Sequence, residues 1–227
     1  MKKLFLILSM SCLTPAIAQD LSQDWPNLQK YRTLNEALLN SEEYPEVVFM
    51  GNSITEGWVS QRPEFFKEHQ IAGRGISGQT TPQMLIRFTP DVLDLKPKAV
   101  VILAGTNDIA GNTGYASTKM ITDNLRAMAE LARANGIKVI LSSILPVSSY
   151  PWSPQVKAVE RIAEVNAWMK AYAEANGFVY LDYFPALADE RKGLKKKFSE
   201  DGVHPNELGY ETMEPLVLEA IENALGK

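Results

Sequence analysis

The chain contains two histidines, His69 and His204. His204 lies in Asp201-Gly202-Val203-His204-Pro205, just ahead of a helical pattern that begins near Asn206. An imidazole can take up and return a proton near neutral pH. Asp201, three positions earlier, is near enough to accept a bond from one ring nitrogen and fix the tautomer. The same two residues can also do no more than cap the helix that follows. His69 sits in the polar run 64–70 and reads as a solvated surface residue. A base needs a nucleophile, and Ser53 in Gly51-Asn52-Ser53-Ile54-Thr55 is a candidate. It follows the apolar run Val47 to Met50, and Gly51 permits a sharp turn. Read alone, Ser53 suits a helix cap at least as well as attack on a carbonyl.

Two further loops carry donors. Gly105-Thr106-Asn107-Asp108 follows the apolar run Ala99 to Leu103. An asparagine amide there can donate to a developing oxyanion, although Asn-Asp in a loop is more often turn chemistry. Gly73-Arg74-Gly75-Ile76-Ser77-Gly78 matches the spacing of a dinucleotide fingerprint. That reading is rejected. The strand before it is short, and Asp91 and Asp94 precede the next strand instead of closing it. A glycine-rich turn can equally bare its amides to an oxyanion, and Gly78 is placed to do so. Together the loops supply a nucleophile, a base, an orienting acid and two oxyanion donors.

These loops need a frame that brings them to one edge. The runs 47–50, 99–103, 138–141 and 178–181 are short, apolar and rich in β-branched residues, with a weaker run at Ile71-Ala72. Such runs read as strands buried on both faces. Between them, residues 118–134 and 156–175 carry a helical period, and each ends at Asn-Gly. A final helix spans 206–225, with Pro215 as a point for a kink, and another helix is expected over 28–39. The alternation implies an α/β fold with a parallel sheet and helices on both faces. Ligands in such folds sit at the carboxyl ends of the strands.

GNSIT, ISGQT, GTND and DGVHP occur in this order between Gly51 and Pro205. They resemble the four blocks of the SGNH (GDSL-type) hydrolase family. Asn52 stands where an aspartate is common, at a position that is not catalytic in the family pattern. Gly57-Trp58, the run 73–81 and Leu145-Pro146 are similar to the branch related to platelet-activating-factor acetylhydrolase and to bacterial sugar acetylesterases. The resemblance implies a three-layer α/β/α sandwich of flavodoxin-like topology, with five parallel strands in the order 2-1-3-4-5. It implies Ser53 as nucleophile, His204 as base and Asp201 as its orienting acid. It implies an oxyanion hole from Gly78, Asn107 and the Ser53 amide. The expected activity is hydrolysis of short acyl esters, acetyl first, on a carbohydrate. A lysophospholipid or acyl-thioester substrate, or a non-catalytic carbohydrate-binding role, are the other readings. Trp58, Arg74, Tyr150 and Trp152 are candidates to line the substrate pocket, or to pack the loops onto the core.

Residues 1–18 read as an export signal: Lys2-Lys3, an apolar run from Leu4 to Leu13, and Ala16-Ile17-Ala18 for cleavage after Ala18. The run is shorter than the ~20 residues that span a bilayer. A single domain over 19–227, secreted or periplasmic, is expected. Cys12, the sole cysteine, also permits a lipoprotein reading, but Ser9 stands where that signal has an aliphatic residue. Of the 227 residues, 45% are hydrophobic and 22% charged, enough apolar surface for a folded core. The net charge of −4 gives no case for a nucleic-acid partner. Two histidines and no cysteine after cleavage leave no zinc cluster, and no cofactor is expected. The basic run Arg191 to Lys197 reads as a solvated loop. The expected partner is a small-molecule or carbohydrate ester.

Overall fold

The computed structural model describes residues 24–41 and 44–226. The expected leader lies outside the described residues. Five strands, β1 (Val47–Gly51), β2 (Ile71–Gly75), β3 (Ala99–Leu103), β4 (Lys138–Ser142) and β5 (Val179–Leu181), form one sheet. Its order is β2-β1-β3-β4-β5 and every pairing is parallel. The chain steps from β1 to one side for β2 and then to the other side for β3. The carboxyl end of β1 is therefore the switch point, the place where sheets of this kind bind their ligands.

Strand side chains alternate between faces, and the core follows that period. On one face Val48, Met50, Val100, Ile102, Val139 and Leu141 meet α4 (Thr81–Phe88), α6 (Thr118–Ala134) and α7 (Ala158–Asn176). On the other, Val47, Phe49, Val101 and Leu103 meet α2 (Ser53–Gln61), α3 (Pro63–Glu68) and α9 (Glu207–Leu225). The central strands β1 and β3 are buried throughout, which explains their unbroken apolar sequence. Short helices α5 (Thr106–Ala110) and α8 (Phe184–Leu187) follow β3 and β5.

Several elements differ from expectation. The first helix, α1, runs over Arg32–Ser41 and not 28–39. Residues 24–31 instead form turns, pinned where the Gln29 amide donates to Asp24 Oδ2 at 2.9 Å. Within α6, Met120 and Leu131 are exposed, while Thr122, Ala129 and Ala132 are buried. The buried stripe is thus rotated towards small residues, where α6 packs closely on its neighbours. Helix α9 continues through Pro215, capped at its start by Asn206, whose side chain accepts from the Gly209 amide at 3.0 Å.

Strand β2 is longer than its two apolar residues implied, because Gly73, Arg74 and Gly75 belong to it. Glycine is required there by contact with α2. A Cβ on Gly75 would lie 2.3 Å from the Glu56 amide nitrogen and 2.6 Å from the Asn52 carbonyl oxygen. Both are backbone atoms at the first turn of α2 and cannot swing aside. Gly75→Ala should therefore destabilise the fold by about 2 kcal/mol or more, as overpacking of rigid sites does. A urea denaturation midpoint unchanged from wild type would contradict this close approach.

Candidate active site

The site begins where β1 ends. The Gly51 carbonyl accepts from the Ile76 amide at 3.2 Å and from Arg87 Nη2 at 2.8 Å, which fixes the last residue of the strand. Asn52 is the N-cap of α2, its Oδ1 accepting from the Ile54 amide at 3.0 Å. The capping role weighed for Ser53 therefore belongs to its neighbour. Ser53 is the first helical residue, with its hydroxyl left over for other work. Its Oγ lies 2.9 Å from His204 Nε2.

His204 is held from its other side. Nδ1 is 2.7 Å from Asp201 Oδ2. Asp201 Oδ1 accepts from the Val203 and His204 amides, both at 2.8 Å, and from the Ser199 hydroxyl at 3.1 Å. Partial burial pulls the Asp201 carboxyl upward, but these bonds outweigh it and hold the group at about 2. An ionised Asp201 requires the hydrogen to sit on His204 Nδ1. Nε2 is then an acceptor, and the Ser53 hydroxyl donates to it. The Asp201-Gly202-Val203-His204 turn is thus more than a cap: the cap of α9 is Asn206.

The expected oxyanion donors are the Ser53 and Gly78 amides and the Asn107 side chain. The amides of Ser53 and Gly78 have no acceptor among the described residues. Gly78 has a φ of +77°, which turns its amide in a way other residues rarely allow. Asn107 is buried, and its Nδ2 donates to the Gln79 carbonyl at 2.9 Å, leaving a second N–H on the same nitrogen. Ser53 is also at the N-terminus of α2, where the helix dipole favours negative charge. Next to Asn107, Asp108 accepts from the Thr81 amide and hydroxyl at the start of α4. Burial pushes its carboxyl up to about 6 despite those bonds.

The four pocket candidates separate. Trp58 is 1% exposed and stacks between Phe65 and Tyr210 in the core beneath α2. Arg74 is 4% exposed, and its guanidinium is spent on Asn35 Oδ1, the Gly73 carbonyl and the Tyr31 ring. Neither is free to line a pocket, which corrects that expectation. Tyr150 is also buried, with its hydroxyl 2.8 Å from that of Thr106. Trp152 alone sits at the site: it is 46% exposed, with its ring centroid 6.4 Å from that of His204. Its Nε1 donates to Asn112 Oδ1 at 3.1 Å, and Asn112 Nδ2 donates to the Gly78 carbonyl at 3.3 Å. Asn112 was not among the expected residues. It lies in a plain Gly-Asn-Thr-Gly turn, and only the fold shows that it joins two loops of the site.

Residues 49–212 match the model of the GDSL-like lipase/acylhydrolase family, so the chain belongs to that family. A GDSL-like lipase from Bacteroides thetaiotaomicron VPI-5482 has a similar structure, with a TM-score of 0.84 and 48% identity. That likeness covers 88% of this chain and 99% of the other. The uncharacterized lipoprotein YqeF of Bacillus subtilis (strain 168) is 36% identical over 121 residues, 46% of this chain. An acetylxylan esterase of Xylanibacter ruminicola (strain ATCC 19189) is 26% identical over 216 residues, 80% of this chain. The matches span 50% of the Bacillus protein and 44% of the Xylanibacter one. Among the described residues, no helix is long and apolar enough to cross a membrane.

The position of Asp201 predicts an acid signature. Its folded-state value of about 2 lies below the ordinary 3.8, so the unfolded chain binds more protons between the two. This carboxylate stabilises the fold above about pH 4, and the contribution is lost as the pH falls through about 2. Urea midpoints should therefore fall more steeply over that window in wild type than in Asp201→Asn. Parallel slopes would contradict the bonding pattern.

Proposed function

We propose that the protein is an exported serine esterase that removes short acyl groups, acetyl foremost, from carbohydrate. One observation carries this reading: the Asp201–His204–Ser53 relay, with Oγ 2.9 Å from Nε2 and Nδ1 2.7 Å from Oδ2. Ser53 Oγ attacks the ester carbonyl carbon as His204 Nε2 takes its proton. Negative charge then develops on the former carbonyl oxygen, for which the Ser53 and Gly78 amides and the Asn107 side chain serve as donors. The intermediate collapses with cleavage of the carbon–oxygen bond to the alcohol, which receives the proton from His204. Water, deprotonated by His204, attacks the acyl-enzyme, and Ser53 regains its proton as the acid leaves. Asp201 remains ionised throughout and stabilises the imidazolium.

One feature of the site supports a sugar. Trp152 presents a half-exposed indole beside His204, fixed by Asn112, as a platform for a sugar ring. The family relative named as an acetylxylan esterase points the same way. Export is supported by the leader pattern over residues 1–18 and by the relative named as a lipoprotein.

Initial rates on p-nitrophenyl acetate, butyrate and octanoate test the chemistry. Acetate should be preferred, and Ser53→Ala should lose on the order of 10⁴-fold or more in kcat. Wild-type activity that survives in Ser53→Ala would overturn the reading. Trp152→Ala tests the sugar platform. It should raise KM for an acetylated xylo-oligosaccharide roughly 3- to 10-fold, the equivalent of a lost ring contact, and leave KM for p-nitrophenyl acetate unchanged. Equal changes on both substrates would remove Trp152 as a sugar contact.

A further inference from the structure

An oxyanion hole works only if its donors keep a fixed spacing, since a displacement of ~1 Å can cost ~10²-fold in rate. The Ser53 amide belongs to the first turn of α2, whereas the Gly78 amide belongs to the loop between β2 and α4. Past Gly75 that loop leaves the sheet. Ser77 and Gly78 are exposed, and no atom lies within 4 Å of where a Gly78 Cβ would be. One side chain ties the loop back to α2. Glu56, one turn after Ser53, accepts at Oε2 from the Ser77 amide at 2.7 Å and from the Ser77 hydroxyl at 2.6 Å.

The other Glu56 oxygen pairs with the Lys30 ammonium. Lys30 lies in the turns of residues 24–31, ahead of the matched region 49–212. The same segment also holds the loop and the elements at its two ends. Gln79 Nε2 donates to the Pro26 carbonyl at 2.6 Å, Gln83 Nε2 donates to the Trp25 carbonyl at 2.8 Å, and the Tyr31 hydroxyl donates to the Gly75 carbonyl.

We infer that Glu56 is a positioning residue: its carboxylate locks Ser77, and with it the Gly78 amide, to the helix that carries Ser53, while Lys30 fixes the carboxylate. This rests on the reading of both amides as oxyanion donors. The alternative role is an ordinary surface ion pair. The Lys30 and Glu56 side chains are 30% and 32% exposed, and such pairs add little to stability and nothing to kcat.

Steady-state kinetics of the purified protein on p-nitrophenyl acetate separate the two. Glu56→Ala should lower kcat roughly 10- to 100-fold with KM nearly unchanged. Glu56→Gln retains an oxygen acceptor for Ser77 and should restore kcat to within about threefold of wild type. A kcat in Glu56→Ala within about threefold of wild type would overturn the inference. So would a loss confined to KM, or an equal loss in both variants. Should Glu56→Ala fail to fold, Ser77→Ala removes one of the two bonds. It should lower kcat roughly 3- to 10-fold, and an unchanged kcat would overturn the inference. Ser53→Ala is assayed alongside. Activity remaining there defeats the esterase reading itself, whatever the Glu56 variants do.

Discussion

Ser53 and His204 are separated by 151 positions in the chain, yet Oγ and Nε2 stand 2.9 Å apart. Closing so long a loop costs several kcal/mol of entropy, and a single hydrogen bond returns only about 1 kcal/mol. The bond is therefore a product of the fold and not a cause of it. The sheet and its two helical layers bring the ends together. Helix α9 packs under the same face as α2, and the Tyr210 hydroxyl donates to the Ile54 carbonyl at 2.8 Å. That bond joins the residue after Ser53 to the helix just after His204.

The opposite flank of the site is held by buried charge. Arg87 is fully buried and donates to Gln79 Oε1 at 2.5 Å, to Asp91 Oδ2 at 2.8 Å and to the Gly51 carbonyl. Burial lowers the Arg87 guanidinium from its ordinary range, and Asp91 pulls it back. A buried charge is tolerated only when its donors are matched, and here they are matched to the end of β1, to Gln79 in the loop after β2 and to Asp91. Gln79 extends this bracing, because its carbonyl also orients Asn107. The three loops after β1, β2 and β3 thus share one polar bracket.

Much of this was legible before the fold was known. Four apolar runs marked β1, β3, β4 and β5 and a weaker one the start of β2, most clearly in β1 and β3, because strands buried throughout tolerate few polar residues. The four loop motifs named Ser53, Gly78, Asn107, Asp201 and His204, and the structure brings Ser53, Asp201 and His204 into one relay. What was not legible depends on contacts between distant segments. Trp58 and Arg74 stand beside the motifs in sequence, but proximity in sequence does not give the direction of a side chain, and both point into the core. Asn112, Arg87 and Glu56 carry no local signature, since each acts by reaching a loop that the sequence places elsewhere. Strand β2 was underestimated because glycine, a poor strand former, is there for packing against α2.

If Ser53 attacks an acyl carbon with His204 as its base, the nucleophile can be trapped. The most direct test is covalent capture. The protein is incubated with diethyl p-nitrophenyl phosphate, and the modified residue is located by peptide mass spectrometry. One diethylphosphoryl group per chain is expected, on Ser53, with greatly slowed labelling in His204→Ala. Labelling at another residue, or labelling of Ser53 at the same rate without His204, would contradict those roles.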